Sequence, residues 1–210
     1  MARLSKGQKA LLDQVMHENL CEAAMRVITE YGVDNMTMDK IAEAAGVAKG
    51  TIYNYFKNKD ELISRTENAI LDPMVKKINE LAAADSGPLP KLREIARLTL
   101  EHFSRYRKVL VLLHESKISG ILGNRERFEK REKIIAAIEK IITPAMQCGE
   151  LHSFNPRIVA EIFIGMIMSI NISKIISGDA RPLQQDLDTV MAIFTQGLQA
   201  GKEAVHENNI

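Results

Sequence analysis

Apolar residues recur along this chain at intervals of three and four, and no run alternates apolar with polar over several positions. The pattern therefore predicts helices throughout and no sheet. Over residues 14–31, Leu20, Ala24, Val27, Ile28 and Tyr31 share one stripe, and Gly32 stands where that helix should end. Thr37 is a natural N-cap with Asp39 in the first turn behind it, predicting a short helix over Met38–Ala45 that stops at Gly46. A third short helix is expected over Ala48–Phe56. Asn58 then caps a fourth, with Glu61 three residues on completing a capping-box-like pair.

Gly87, Pro88 and Pro90 mark the next break. After it Leu92, Ile95, Ala96, Thr99, Leu100 and Phe103 trace an amphipathic face, and Val109–Leu113 is unbroken apolar sequence, followed by Gly120 and Gly123 as punctuation. Arg125–Cys148 is charged at its start and apolar later, with Pro144 expected to kink or end it. Asn155-Pro156 opens a helix running to Ser177, Gly178–Pro182 is a turn, and Leu183, Leu187, Val190, Met191, Phe194 and Leu198 form a last stripe. The expected architecture is all-α. A small N-terminal unit over residues 14–62 precedes a larger helical part over residues 63–205.

Composition changes this picture little. The 210 residues are 46% hydrophobic and 26% charged, ordinary for a globular chain. The net charge is +1, and residues 1–65 hold nine Lys or Arg against nine Asp or Glu. Bulk electrostatics thus gives no nucleic-acid signal, and any such reading must rest on local placement. Cys21 and Cys148 have no paired spacing and read as reduced thiols, so neither a disulfide nor a metal framework is expected. The first residues lack the apolar core of a signal peptide. Residues Ile158–Ile176 are membrane-like in length, but Glu161, Asn171 and Lys174 interrupt them and make a buried helix the expectation. A cytoplasmic protein without cofactor, metal or membrane partner follows.

Local placement is more telling. Two short helices joined through Gly46, over about residues 36–55, have helix-turn-helix proportions, the glycine supplying the left-handed turn. On a wheel of the third helix, Ile52, Tyr55 and Phe56 share the inward arc, while Lys49, Gly50, Tyr53 and Asn54 stay available. Gly50 leaves room for close approach to bases. Lys49 suits a guanine edge or a phosphate, and Asn54 an adenine edge. The hydroxyls of Thr51 and Tyr55 are placed for phosphate oxygens, and Lys59 adds charge at a helix N-terminus. Taken singly, Tyr53 and Tyr55 also read as packing residues and Lys49 as a solvated charge; the turn-bounded three-helix setting favours the DNA reading.

These residues resemble the N-terminal domain of the TetR (tetracycline repressor) family of bacterial transcription regulators. The matching pieces are Ala23-Ala24 with Tyr31-Gly32, then Thr37 and Ile41-Ala42 with Ala45-Gly46-Val47. Above all there is Lys49-Gly-Thr-Ile-Tyr-Asn-Tyr-Phe56 followed by Lys59-Asp-Glu-Leu62. Gly149–Pro156 is similar to the family's lead into its dimerisation helices, whereas residues 63–148 carry no recognisable signature. Where many members have a capping serine, this chain has Ala48, a poor cap that costs about 1 kcal/mol. The arm bearing Arg3, Lys6 and Lys9 reads either as a DNA contact or as a disordered tail.

The resemblance implies double-stranded operator DNA, a second copy of the chain and a small-molecule effector as partners. It makes Thr37, Lys49, Gly50, Thr51, Tyr53, Asn54, Tyr55 and Lys59 the DNA-binding set. For the effector cavity the candidates are His102, Phe103, Tyr106, His114, Phe128, Met146, Phe163 and Met166, each of which taken singly reads more readily as ordinary core packing. For the dimer they are Ile162, Gly165, Met166, Ser169, Leu187, Met191, Phe194 and Leu198; a monomer exposing both stripes would carry unusually large apolar patches. Gly197 and Gly201 allow close approach of the last helix. The rival readings are a helical ligand carrier and a helical-bundle enzyme. A di-iron bundle needs two Glu-x-x-His motifs, and only Glu203-Ala-Val-His206 fits. No catalytic set is read.

Overall fold

The computed structural model describes residues 5–115, 125–179 and 181–198, the side chains at 114, 115, 127 and 198 excepted. The elements are α1 (Lys6–Tyr31), α2 (Met38–Ala45), α3 (Lys49–Ile52), α4 (Lys59–Ala83), α5 (Pro88–Glu115), α6 (Arg125–Gln147), α7 (Pro156–Ser177) and α8 (Leu183–Leu198). No β-strand occurs among the described residues.

The chain divides into two compact units. One holds residues up to Pro73 together with Tyr106–Phe128; the other holds Met74–Arg105 and the chain from Glu129 onward. The boundary thus falls inside α4, α5 and α6, and the N-terminal unit includes the end of α5 and the start of α6 besides the residues around the helix-turn-helix.

In the N-terminal unit α1 begins at Lys6, earlier than its apolar stripe. Ser5 accepts from the Gln8 amide while the Gln8 side chain accepts from the Ser5 amide, a complete capping box. Lys6 and Lys9 therefore lie on a helix, which corrects the tail reading for them; Arg3 lies outside the described residues. The core gathers Leu20, Val27 and Ile28 of α1, Met36, Ile41 of α2, Ile52, Phe56, Leu62 of α4, and Val109 and Leu113 of α5. Burial of these stripes supplies most of the stability at about 25 cal/mol per Å² of apolar surface.

In the C-terminal unit, α6 continues past Pro144 to Gln147, so the proline does not end it. Asn155 caps α7 by accepting from the Arg157 and Ile158 amides, with Pro156 in the first position, and Gly178 closes it at φ 69°. The inner face of α7 (Val159, Phe163, Ile164, Ile167) and Leu187, Val190, Met191 and Phe194 of α8 are buried, and the rings of Phe163 and Phe194 lie 4.6 Å apart. Arg157 bonds both Glu132 of α6, at 2.6 Å, and Glu161, at 2.8 Å. Arg93 bonds Asp188 at 2.6 Å, tying α5 to α8. Buried Asp186 takes both Lys174 and Arg181, pinning the turn between α7 and α8.

Candidate DNA-reading surface and apolar recess

The helix-turn-helix is built from its caps. Thr37, extended at φ −125°, ψ 154°, accepts from the Lys40 amide at 3.2 Å and starts α2. Gly46, left-handed at φ 70°, ends it, and the Val47 amide reaches back to the Ala42 carbonyl at 2.9 Å in a Schellman arrangement. Two α1 side chains satisfy other α2 carbonyls: Arg26 bonds Ala44 at 2.7 Å and Asn19 bonds Ala45 at 3.2 Å. The orphan groups at that helix end are thus answered within the unit.

Helix α3 is shorter than the Ala48–Phe56 span expected. It covers Lys49–Ile52, and residues 53–55 continue as a turn whose amides at 54 and 55 bond carbonyls three residues back. Ala48 offers no side-chain cap. Without it, and with glycine, tyrosine and asparagine as weak helix formers, the segment winds tightly instead of extending. The sidedness nevertheless holds. Ile52 and Phe56 are buried, and Lys49, Gly50, Tyr53 and Asn54 are exposed. A Cβ added at Gly50 meets nothing within 4 Å, so packing inside the chain does not demand glycine there.

Four members of the DNA-binding set have internal partners, Thr37 through its cap and three others through their side-chain donors. The Tyr55 hydroxyl donates to Asp13 of α1 at 3.3 Å. The Lys59 ammonium donates to the Val33 carbonyl at 2.6 Å, tying the start of α4 to the turn after α1. Lys49 bonds Asp39 of α2 at 2.6 Å, and that bond and charge raise its pKa. Thr51 is half-buried and Thr37 serves as a cap. The start of α4 is closed by Asn58, which accepts from the Glu61 amide at 2.9 Å, while Glu61 accepts from the Lys57 amide at 2.8 Å. Exposed Lys57 and the Asp39 partnership were missed by the sequence reading. The first was legible as a cation beside Phe56; the second required the geometry of the turn.

Behind α3, the His17 ring lies 4.9 Å from that of Phe56 and its Nδ1 lies 3.8 Å from the Cys21 sulfur. Burial, aided by the charge of Arg65, lowers the His17 pKa. Burial pushes the Cys21 thiol up to about 11, which makes it an inert core residue.

The effector candidates do not converge. Phe128 is 61% exposed, so it lines no interior, and Tyr106 packs on the N-terminal core. Both are corrections: an aromatic in an apolar stripe can end on a surface or in a core, and periodicity does not separate the two. Met146 and Phe163 are buried in the C-terminal unit, and His102 and Phe103 are half-buried there with rings edge-on at 6.3 Å. The His114 side chain lies outside the described residues. A cavity of about 360 Å³ lies elsewhere, between α7 and α8, lined by Phe154, Ile158, Ile162, Met166, Ile193 and Phe194 among others. Of the effector candidates it takes Met166 alone.

The dimer candidates split by helix. On α7, Ile162, Gly165 and Ser169 are exposed and Met166 is half-buried, alongside exposed Ile158, Ile172 and Ile176. On α8, Leu187, Met191 and Phe194 are buried in the chain's own core, which corrects their assignment to the dimer face. The helix has one strong apolar stripe, and it is turned inward, with Phe194 against Phe163 of α7. In the second half of the helix the exposed residues are Ala192, Ile193, Gln196 and Gly197 instead. The Leu198 side chain, Gly201 and Glu203–His206 lie outside the described residues.

Comparison with known proteins bears on these surfaces. The family model described as bacterial regulatory proteins, tetR family, matches residues 20–66, the stretch from α1 into α4. The HTH-type transcriptional regulator AcrR of Shigella flexneri is 31% identical over 183 residues, covering 80% of this chain and 81% of that protein. The fatty acid metabolism regulator protein of Bacillus subtilis is 27% identical over 192 residues, covering 85% and 93%. Among solved structures, FadR of Bacillus subtilis in complex with stearoyl-CoA aligns with a TM-score of 0.73 at 21% identity, over 85% of this chain and 97% of that one. NalD, the secondary repressor of the MexAB-OprM efflux pump in Pseudomonas aeruginosa, gives 0.73 at 19%, over 91% and 99%. With a helix-turn-helix whose outward face is polar and an all-helical remainder, the chain belongs to the TetR family of bacterial regulatory proteins and is a DNA-binding transcriptional regulator.

Proposed function

We propose that the protein is a homodimeric repressor working in the cytoplasm. In this reading α2 and α3 of each copy read one half of a pseudo-palindromic operator, and a small, largely apolar effector bound by the C-terminal unit releases the DNA. The observation that carries it is the division of residues 49–56. Ile52 and Phe56 anchor the segment in the core, while Lys49, Gly50, Tyr53 and Asn54 face outward with open space over Gly50. Donors and acceptors of this kind suit the major-groove edges of bases.

The dimer rests on the α7 stripe of Ile158, Ile162, Gly165, Ser169, Ile172 and Ile176, spaced by four and three and exposed along its length. Isologous pairing covers both copies of such a stripe and presents two reading segments with two-fold symmetry. The cavity between α7 and α8 shares Ile158 and Ile162 with that stripe, so pairing covers it. The effector is therefore assigned to the interior of the C-terminal unit, near His102 and Phe103. The acyl chain of the stearoyl-CoA bound by FadR and the triclosan bound by SmeT support a ligand with a largely apolar part. An effector that binds the DNA-free geometry better shifts the dimer towards it by its differential affinity alone. No reaction is assigned to the chain.

A mobility-shift titration on the DNA beside the protein's own gene tests the reading. Tyr53→Ala and Gly50→Ala are each expected to weaken the specific complex about 10-fold or more, since one good base contact is worth about 1–3 kcal/mol. Gly50→Ala is expected to leave the thermal midpoint unchanged or higher, because its methyl meets nothing in the free chain and alanine favours helix. Unaltered DNA affinity in both variants removes α3 from the interface.

A further inference from the structure

Within the helix-turn-helix, one carboxylate stands beside the cation expected to meet DNA. Asp39, in the first turn of α2, accepts from the Lys49 ammonium at 2.6 Å, joining α2 to α3 across ten residues of sequence. Both side chains are exposed, at 63% for Lys49 and 58% for Asp39. Lys49 is the only cation in α3. Asp39 is not needed as the α2 cap, because Thr37 makes that bond.

The pair changes what Lys49 offers. An ammonium has three N–H donors; Asp39 takes one and leaves two for other acceptors. Together the two charges cancel, so the approaching DNA meets directed donors without a net cation. Attraction to a phosphate depends on net charge and on release of its counterions, and the neighbouring carboxylate opposes it. Attraction to the O6 and N7 acceptors of guanine depends on donor direction. An ion pair this exposed is weak, a bias of several-fold and no lock.

We propose that Asp39 is a specificity-determining positioning residue, which neutralises and aims Lys49 so that this lysine reads a base edge and does not settle on any phosphate. The inference rests on the reading that α3 lies against DNA. It explains how a helix-turn-helix unit with balanced charge discriminates between sequences: nonspecific complexes lose one phosphate contact, while the operator complex keeps its donor.

The test uses full-length protein and fluorescence anisotropy on two duplexes of equal length, the operator and a random sequence, from about 50 to about 200 mM salt. Asp39→Asn is expected to bind random DNA several-fold tighter, with a salt slope steeper by about one, and to bind the operator within about twofold of wild type. Discrimination therefore falls several-fold. Asp39→Glu keeps the charge and stays near wild type. In a Lys49→Met background, Asp39→Asn is expected to change nothing. Unchanged discrimination in Asp39→Asn overturns the proposal, as does an equal loss in the Lys49→Met background, which would mean that charge alone is at work. Lys49→Met altering DNA affinity while Asp39→Asn is silent sinks the Asp39 proposal and leaves the α3 reading intact. A Lys49→Met variant silent on both duplexes overturns both.

Discussion

Residues 49–56 and the outer face of α7 solve opposite problems with the same device. Each is a stretch with one side in its own core and the other outside. In the first, Ile52 and Phe56 go inside, and what remains outside is Lys49, Gly50, Asn54 and the amphipathic ring of Tyr53. In the second, Phe163 and Ile167 go inside, and what remains outside is isoleucine interspersed with Gly165 and Ser169: Ile158 at 53%, Ile162 at 53%, Ile172 at 50% and Ile176 at 81% exposed. A surface left polar and mixed in hydrogen bonding fits a hydrated, charged partner. A contiguous apolar stripe is costly in water and calls for an apolar cover. The outward composition of each segment therefore names the chemistry of its partner, and the inward composition only says how the segment is held.

That contrast can be broken from either side. The largest effect is expected from Ile162→Arg, which puts a charge into the α7 stripe of both copies. Burying it unpaired costs several kcal/mol per copy, so dimer affinity should weaken more than about 10³-fold, read by analytical ultracentrifugation, with operator binding lost in parallel. A dimer of normal affinity would leave the stripe without its proposed cover. Phe56→Ala removes an inward anchor beside His17 and should lower unfolding stability by about 3–5 kcal/mol in denaturant titration. Asp186→Ala strands Lys174 and Arg181. A loss of about 2–3 kcal/mol is expected, less than for a wholly buried pair because Arg181 is partly solvated.

Smaller changes sharpen the comparison at the caps. Thr37→Ala deletes the bond from the Lys40 amide and should cost about 1 kcal/mol. Ala48→Ser supplies the cap that α3 lacks and should gain up to about 1 kcal/mol; it should also extend helicity at residues 53–55, visible as slower amide exchange. The smallest effect is expected from pH. Burial and Arg65 lower the pKa of His17 below its ordinary 6.5, so the folded state prefers the neutral ring. Stability from this group is present above pH 6.5 and declines as pH falls below it. His17→Gln should flatten that decline in thermal melts between neutral and mildly acid pH.

Much of this was legible in the chain. The caps at Thr37, Asn58 and Asn155 and the stops at Gly32, Gly46 and Gly178 follow from side-chain hydrogen bonding and from the left-handed or extended turns glycine tolerates, and these are local properties. The sidedness of residues 49–56 was legible for the same reason, since a few residues of helical or near-helical winding keep Ile52 and Phe56 together. What escaped was anything that depends on a second element. The length of α3 turned on whether its start was capped. Lys59 and Tyr55 were read as facing DNA, yet Val33 and Asp13, distant in sequence, bond them. Leu187, Met191 and Phe194 formed a stripe equally suited to a partner copy or to α7.

The sequence by itself determined that this protein is helical, where most helices start and stop, and which residues of its short third helix point outward, because capping, turn conformation and helical period act within a few residues. Only the tertiary structure decided which of two apolar stripes stays exposed, which aromatics meet a core, and that Asp39 holds Lys49. Those outcomes depend on which surfaces compete for the same side chain, and that competition exists only once the helices have packed.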